Sequence, residues 1–206
     1  MDENLVIVTG FGPFVGHELV NASWEAVRLL PDSLEHDGKT HNIEKVLIPV
    51  QYDAVDEKVD EIWKRNPKLV IHCGVNGNAN CIHLEQLAYN NQFCRPDFSG
   101  KILNSPSVCL DNAGSCCDTI STEIDVQSIV DKLFPDTEAC NPLCICSRDV
   151  GNYLCGYIYL KSLDRDKKRC LFVHVPPIDQ PFSSQTTSEA IRQIIEECLH
   201  QLKKTD

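Results

Sequence analysis

Three residues far apart in the chain, Glu85, Cys155 and His174, have the side chains of a nucleophilic active site. A cysteine thiolate attacks carbonyl carbon, a histidine takes up and returns a proton, and a carboxylate orients the imidazole. Together these residue types predict acyl transfer through a covalent thioester. The local sequence around each residue indicates whether the three side chains can share one site.

Cys155 follows the apolar run Leu143–Cys146 and a glycine-containing turn, so it is predicted to lie in the first turn of a helix. A helix N-terminus offers unpaired N–H groups and partial positive charge, which lower a thiol pKa and bind an oxyanion. Cysteine is also among the most frequently buried residues, which makes simple packing between Leu154 and Ile158 the alternative. Position alone leaves both interpretations open.

His174 lies near the end of the apolar run Cys170–Val175, which two prolines terminate. An imidazole at a strand end can take the thiol proton and return it to a leaving amine. The alternative is a core histidine whose ring is satisfied by backbone groups. His72 competes for the same role, but its neighbours place it in mid-strand, so we rank it second.

Glu85 lies in the segment Ile82–Leu87, which is predicted to be an edge strand. A carboxylate there can orient the imidazole and stabilise its cation. A solvated charge on an edge strand is the alternative, and the sequence by itself favours it. A serine nucleophile is less well supported, because no G-x-S-x-G motif is present.

The glycine-rich segment Gly10–Gly16 resembles a phosphate-binding loop only superficially. It lacks the Lys-Ser/Thr ending and the full G-x-G-x-x-G spacing, and it carries Phe11 and Phe14 instead. Two aromatic rings beside the end of the first strand suit a flat, neutral ligand better than a phosphate.

Short apolar runs alternate with segments of helical periodicity along the chain. This alternation predicts an α/β fold, a single-domain three-layer α/β/α sandwich with a mostly parallel central sheet. Binding sites in such sheets form at the carboxyl ends of the strands. Strands are predicted at 5–8, 46–50, 69–73, 82–87, 143–146 and 170–175. Helices are predicted after the cap Asn21, at 52–65 and at 124–133. A further helix carries Cys155 and ends at about 163, and the last helix follows a capping box of Thr186 and Glu189.

With 206 residues, 42% of them apolar, the chain suits one domain spanning 1–206. The segment at about 91–121 is irregular and insertion-like, because it is rich in Asn, Ser, Gly, Pro and Cys. Lys and Arg number 19 against 30 Asp and Glu, which gives a formal net charge of −11. An acidic surface repels phosphate backbones and anionic lipid, so nucleic acid and membrane are excluded as expected partners.

The chain begins with an acidic segment and has no run of about 20 apolar residues, so we expect a cytoplasmic protein. Its 12 cysteines are then expected to be reduced thiols. None of them forms a CxxC pair, so their spacing predicts no metal site.

Four separate segments, in order, resemble the pyroglutamyl peptidase I family of cysteine peptidases. The similarity runs from about residue 5 to 203. The segments are Val8–Phe14 with Val20–Trp24, Leu84–Glu85 with Ala88 and Asn90, Gly151–Cys155, and Phe172–Pro177.

This resemblance implies roles for the candidate residues. Cys155 would be the nucleophile, His174 the general base and then acid, and Glu85 the orienting carboxylate. Substrate binding would involve two aromatic rings that sandwich a five-membered lactam, with further residues around the same pocket and an arginine near the oxyanion. These residues are Phe11 and Phe14, then Asn21, Tyr153 and Leu154, and finally Arg95.

The implied substrates are peptides with an N-terminal pyroglutamate, and the implied mechanism needs no cofactor and no metal. The family includes monomers and tetramers, so a homo-oligomer is compatible with the resemblance. Two alternatives remain open. One is a catalytically weakened relative that binds pyroglutamyl peptides. The other is an unrelated small-molecule enzyme on a similar sheet, such as a nucleoside phosphorylase, which would depend on phosphate and resist thiol alkylation.

Overall fold

The computed structural model describes residues 2–13, 20–113, 118–135 and 143–205. Within these ranges strands and helices alternate along most of the chain. The elements are β1 Asp2–Phe11, α1 Ala22–Arg28, β2 Ser33–His36, β3 Lys39–Ile48, α2 Tyr52–Lys64, β4 Pro67–Val75, β5 Ile82–Glu85, β6 Leu87–Tyr89, β7 Thr119–Ser121, α3 Val126–Leu133, β8 Cys144–Ser147, α4 Leu154–Asp166, β9 Cys170–Val175 and α5 Ser184–Thr205.

Seven strands form the main sheet in the order β2-β3-β1-β4-β9-β5-β8, and β6 and β7 pair separately. The pairs β1–β3, β1–β4, β4–β9 and β5–β8 are parallel. β2 runs antiparallel to β3, and β5 runs antiparallel to β9. One apolar cluster joins the sheet to α1, α3 and α5, and another joins it to α2 and α4. The predicted three-layer, mostly parallel α/β fold is confirmed.

The first strand shows why a continuous apolar run predicts a central strand. Val6 and Val8 pack in the cluster with α1 and α5, whereas Ile7 packs with Ile62 of α2. All three strand residues are fully buried. Because successive side chains of a strand point to opposite faces, a strand covered on both sides has no position that faces solvent.

Three predicted elements differ in detail from the structure. The strand predicted at 46–50 begins earlier, at Lys39, and ends at Ile48, because it forms a hairpin with β2 that the sequence analysis did not predict. The last helix begins at Ser184, and the hydroxyl of Ser183 accepts a hydrogen bond from the N–H of Thr186 at 3.1 Å. The predicted capping box of Thr186 and Glu189 is therefore wrong.

The segment Ile82–Leu87 is also not an edge strand. β5 lies between β9 and β8 and ends at Glu85, so both of its sides are hydrogen bonded. Its neighbour β8 occupies the edge instead. The short length of β5 made it resemble an edge strand, although its position depends on pairing with strands more than 50 residues away in sequence.

Within the irregular segment predicted at about 91–121, the described residues 91–113 contain no helix or strand, whereas Thr119–Ser121 form β7, which pairs with β6. Asp97 holds one turn of it, since its carboxylate accepts hydrogen bonds from the N–H groups of Tyr52, Ser99 and Lys101. Asp164 of α4 holds another part in the same way. No helix among the described residues is long and apolar enough to cross a membrane.

Candidate active site

Cys155 is the second residue of α4, and Tyr153 is the N-cap without a side-chain hydrogen bond to the helix. The N–H groups of the first turn, which include that of Cys155, therefore lack a side-chain cap. The preceding loop turns at Gly151, whose φ of 76° favours glycine. A Cβ at position 156 would collide with the carbonyl oxygen of Gly151, so Gly156 lets this loop fold against the helix start.

Gly74 of β4 provides the space for the Cys155 thiol. A Cβ at position 74 would lie 2.6 Å from Sγ of Cys155 and 2.8 Å from Cζ of Phe172. The sulfur atom is thus packed directly against the backbone of the central sheet. Any side chain at position 74 would displace the thiol or the aromatic ring.

The other described thiols are less suited to nucleophilic attack. Burial raises the pKa of the Cys73, Cys144, Cys170 and Cys198 thiols. Cys155 is only half-buried, and among the described cysteines it is the one that lines the cavity beside His174. These observations favour Cys155 as the reactive thiol.

His174 and Glu85 form a buried pair next to Cys155. Nδ1 of His174 donates a hydrogen bond to Oε1 of Glu85 at 2.8 Å. The other carboxylate oxygen accepts a hydrogen bond from the N–H of Asp149 at 3.2 Å, and the main-chain carbonyl of Glu85 accepts one from Tyr159 at 2.8 Å. Glu85 is fully buried, so the solvated charge that the sequence favoured is wrong.

The pKa of His174 reflects several opposing effects. Burial lowers this pKa, whereas the hydrogen bonds to Cys155 and Glu85 and the negative charges of both residues raise it more strongly. The net result is a pKa of about 9. His174 is therefore protonated at neutral pH, and its Nε2 edge presents a proton to the thiol.

His72, the second candidate, has a structural environment instead. Its ring nitrogens contact Oγ1 of Thr9 at 2.8 Å and Oγ of Ser162 at 2.7 Å inside the sheet. Burial lowers the pKa of His72 to about 3, so the ring is neutral. Its fully satisfied, buried ring is typical of a core histidine.

The site does not form only at the carboxyl ends of parallel strands, because some of its residues come from strands that run in the opposite direction. Phe11 and His174 do lie at the carboxyl ends of parallel strands. Glu85 is the last residue of β5, and Cys155 comes after β8; both of these strands run opposite to β9. The antiparallel register pairs Glu85 with Phe172 and His83 with His174, so Glu85 reaches the histidine from the neighbouring strand.

A cavity of about 540 Å³ opens beside Cys155 and His174. It holds seven of the predicted site residues, namely Phe11, Asn21, Arg95, Tyr153, Leu154, Cys155 and His174. Glu85 lies behind His174, outside the lining. Phe14 lies outside the described residues.

Phe11 is held by a small network at the start of α1. Its N–H donates to Oγ of Ser23 at 3.0 Å, and the Ser23 hydroxyl donates to Oδ1 of Asn21 at 2.8 Å. The Asn21 amide donates to the carbonyl of Gly12 at 3.0 Å. Asn21 therefore caps α1 and supports the loop that carries Phe11.

Arg95 lies over the ring of Tyr153, with 4.6 Å between its guanidinium carbon and the ring centroid. The hydroxyl of Tyr153 donates to the carbonyl of Pro96 at 3.1 Å. These contacts attach the irregular segment to the nucleophile loop and bring a positive charge to the cavity.

The cavity also has lining residues that the sequence analysis did not select. They come from the turn after β4 and from the loop before α4, and comprise Val50, Val75, Asn76, Gly77, Asn78, Asp149, Val150, Gly151 and Asn152. The Asn-Gly-Asn sequence directly after a buried strand was a usable signal for the first group. No sequence signal identifies the N–H of Asp149 as a partner of Glu85, because a backbone group has no side-chain identity.

Comparisons with known proteins agree with this site. The profile of the pyroglutamyl peptidase family matches residues 4–201. Pyroglutamyl-peptidase 1 of Rattus norvegicus is 34% identical over 204 residues, which covers 98% of this chain and 92% of the relative. Pyrrolidone-carboxylate peptidase of Staphylococcus aureus is 29% identical over 182 residues, with 85% and 80% covered.

A solved structure also resembles this chain closely. The pyrrolidone carboxyl peptidase of Thermus thermophilus has a TM-score of 0.77 and 27% identity, and covers 93% of this chain and 98% of its own. The fold and the site define a cysteine peptidase. The chain belongs to the pyroglutamyl peptidase family.

Proposed function

We propose that this protein hydrolyses the amide bond that follows an N-terminal pyroglutamyl residue of a peptide, with Cys155 as nucleophile. The observation that carries the proposal is the hydrogen-bonded series of Cys155, His174 and Glu85 at the wall of a cavity that also contains Phe11. Membership of the pyroglutamyl peptidase family supports the same reaction.

In the first step the Cys155 thiolate attacks the carbonyl carbon of the pyroglutamyl residue and forms a carbon–sulfur bond. The carbonyl oxygen becomes an oxyanion. The N–H groups in the first turn of α4 are placed to stabilise that charge, and Arg95 supplies a nearby positive charge.

In the second step protonated His174 gives its proton to the departing amine, and the carbon–nitrogen bond breaks. Neutral His174 then accepts a proton from water, which attacks the thioester and releases pyroglutamate. Because the pKa of His174 is about 9, its ring is protonated before attack and carries the proton that the leaving amine needs. Glu85 orients the ring and stabilises its charge throughout.

The pyroglutamyl residue has no free amine, so its recognition differs from that of ordinary N-termini. Its flat, neutral lactam needs apolar faces and a few hydrogen bonds. Phe11, Leu154 and Tyr153 supply apolar surface in the cavity, and Phe14 belongs to the same proposal. Asn21 acts by holding the loop of Phe11.

The proposal also covers the partners and the location of the protein. The formal charge of −11 supports a protein that does not bind nucleic acid. A cytosolic location remains our proposal, and a homo-oligomer is compatible with the proposed function. The alternative of a non-catalytic binding module has no support, because Cys155, His174 and Glu85 are all present and in contact.

The proposed function predicts strong discrimination between pyroglutamyl and prolyl amides. The two rings have the same size, but proline lacks the lactam carbonyl and carries a cationic amine. A site built around a neutral lactam is expected to cleave the pyroglutamyl amide at least about 10³-fold faster in kcat/KM. Fluorophore release from the two amides under reducing conditions measures this ratio. Equal rates, or cleavage of the prolyl amide alone, would refute the assignment.

Gly74→Ala is expected to lower kcat/KM by about 10²-fold, because the added methyl group displaces the Cys155 thiol from its attacking position. Overpacking against Phe172 is also expected to destabilise the fold by about 1–3 kcal/mol. The rate of Cys155 alkylation and the thermal unfolding curve separate the two effects. A folded variant with unchanged activity would show that the thiol tolerates displacement.

A further inference from the structure

A second group of chemically competent side chains lies away from the cavity. Within the described residues, His36, Asp37 and His200 form one group whose ligand atoms all lie within 4.8 Å of one another. His36 ends β2, Asp37 lies in the turn before β3, and His200 belongs to α5. Because β3 starts beside the amino end of β1, this cluster lies at the amino ends of the parallel strands, whereas Cys155 packs at Gly74 near the carboxyl end of β4.

The His36 side chain has an unused ligand atom. Its Nε2 is buried and makes no hydrogen bond within the described part of the chain. That atom lies 3.6 Å from Oδ2 of Asp37, which is too long for a hydrogen bond. Two ligands bound at about 2.0–2.1 Å to one tetrahedral ion lie about 3.4 Å apart, so the spacing suits a shared metal.

The chemistry of the ligands narrows the class of ion. Two imidazoles and one carboxylate are typical of Zn²⁺ and related first-row divalent ions, with water in the remaining position. Ca²⁺ and Mg²⁺ prefer oxygen ligands. The spacing of the cysteines did not predict this group, because its members are histidines and an aspartate from distant segments.

The ammonium group of Lys203 competes with a metal ion for the carboxylate of Asp37. Its ammonium lies 3.0 Å from Oδ2 of Asp37, and 68% of its side chain is exposed. An exposed lysine can move into solvent when a divalent ion binds, but its charge opposes that binding.

We propose that His36, Asp37 and His200 bind a divalent transition-metal ion of the Zn²⁺ class. The ion would connect the turn between β2 and β3 to the last helix, and it would take no part in the chemistry at Cys155. Lys203 would weaken the affinity by occupying the carboxylate of Asp37.

The test is a spectroscopic titration of the reduced, full-length protein with Co²⁺, followed by displacement with Zn²⁺. A site of nitrogen and oxygen ligands gives visible d–d bands without the near-ultraviolet charge-transfer band of a cobalt–thiolate bond. This distinction matters because exposed thiols such as Cys109 also bind metals. We expect one equivalent of Co²⁺ to bind without the thiolate band.

Variants of the cluster identify its ligands. His36→Gln and His200→Gln are each expected to weaken the affinity by more than about tenfold, since each removes one of three protein ligands. Lys203→Gln is expected to tighten it by about fivefold, because a repulsive charge disappears. Lys167→Gln is the matched control, as it also breaks a lysine–carboxylate ion pair, with Glu123, and is expected to leave the affinity unchanged.

The histidine variants are expected to weaken the metal affinity, whereas Lys203→Gln is expected to tighten it. Loss of folding cannot tighten binding, so the Lys203→Gln result tests the proposal even if a histidine variant unfolds. A thiolate band at one equivalent would overturn the proposal, as would the absence of binding up to about 1 mM Co²⁺. Equal affinities of the wild type and Lys203→Gln would overturn it as well.

Discussion

Replacing Cys155 with alanine is expected to abolish hydrolysis of a pyroglutamyl amide, with a loss in kcat of at least about 10⁴-fold. The thioester cannot form without the sulfur atom, and no other described thiol lines the cavity. The variant should still fold, because the substitution removes a single sulfur atom from a half-buried side chain. It should also still bind pyroglutamyl peptides, since the other residues that line the cavity are unchanged.

The measurement is fluorophore release under reducing conditions, with binding of a pyroglutamyl peptide followed separately. Cys109→Ala is the matched control, because this exposed thiol is not part of the cavity lining, and it should retain full activity. Activity that survives in Cys155→Ala would place the nucleophile elsewhere. Binding without turnover in the wild type would favour the binding-module alternative.

Replacing Glu85 with glutamine is expected to lower kcat by about 10²- to 10⁴-fold. The amide has nearly the same shape as the carboxylate, but it removes the negative charge beside Nδ1 of His174. An amide group also favours the wrong tautomer of the ring. The protonated form of His174 should therefore be less populated at neutral pH.

The Glu85→Gln substitution is also expected to shift the pH dependence of activity in a defined direction. His174 must be protonated to donate to the leaving amine, so wild-type activity should fall above about pH 9. Burial lowers this pKa, and Glu85 is one of the groups that raise it against that effect. The decline should move to lower pH in Glu85→Gln. The stabilising effect of the raised pKa is complete below the unfolded value and is lost as the pH rises through about 9.

The profile of kcat/KM against pH checks this expectation. Glu123→Gln is the control, because this carboxylate forms an ion pair with Lys167 outside the cavity lining. An unchanged alkaline limb in Glu85→Gln would mean that Glu85 does not control the protonation of His174.

Much of this protein was predictable from local sequence. Continuous apolar runs such as Leu5–Val8 predicted buried strands, because a strand covered on both faces has no position that faces solvent. Asn21 predicted the start of α1, since its short side chain accepts the N–H of Ser23. The motifs around Cys155 and His174 also predicted the chemical class, because each motif consists of neighbouring residues and can be recognised without knowing the fold.

Only the tertiary structure decided how these elements meet. The direction of β5, the burial of Glu85 and its contact with the N–H of Asp149 all depend on pairing between distant strands. The requirement for glycine at position 74 follows from the approach of the Cys155 thiol across the sheet. Local residue patterns report whether a segment is buried and periodic, but strand order and close approach depend on which segments pack together, and these were set by the whole fold.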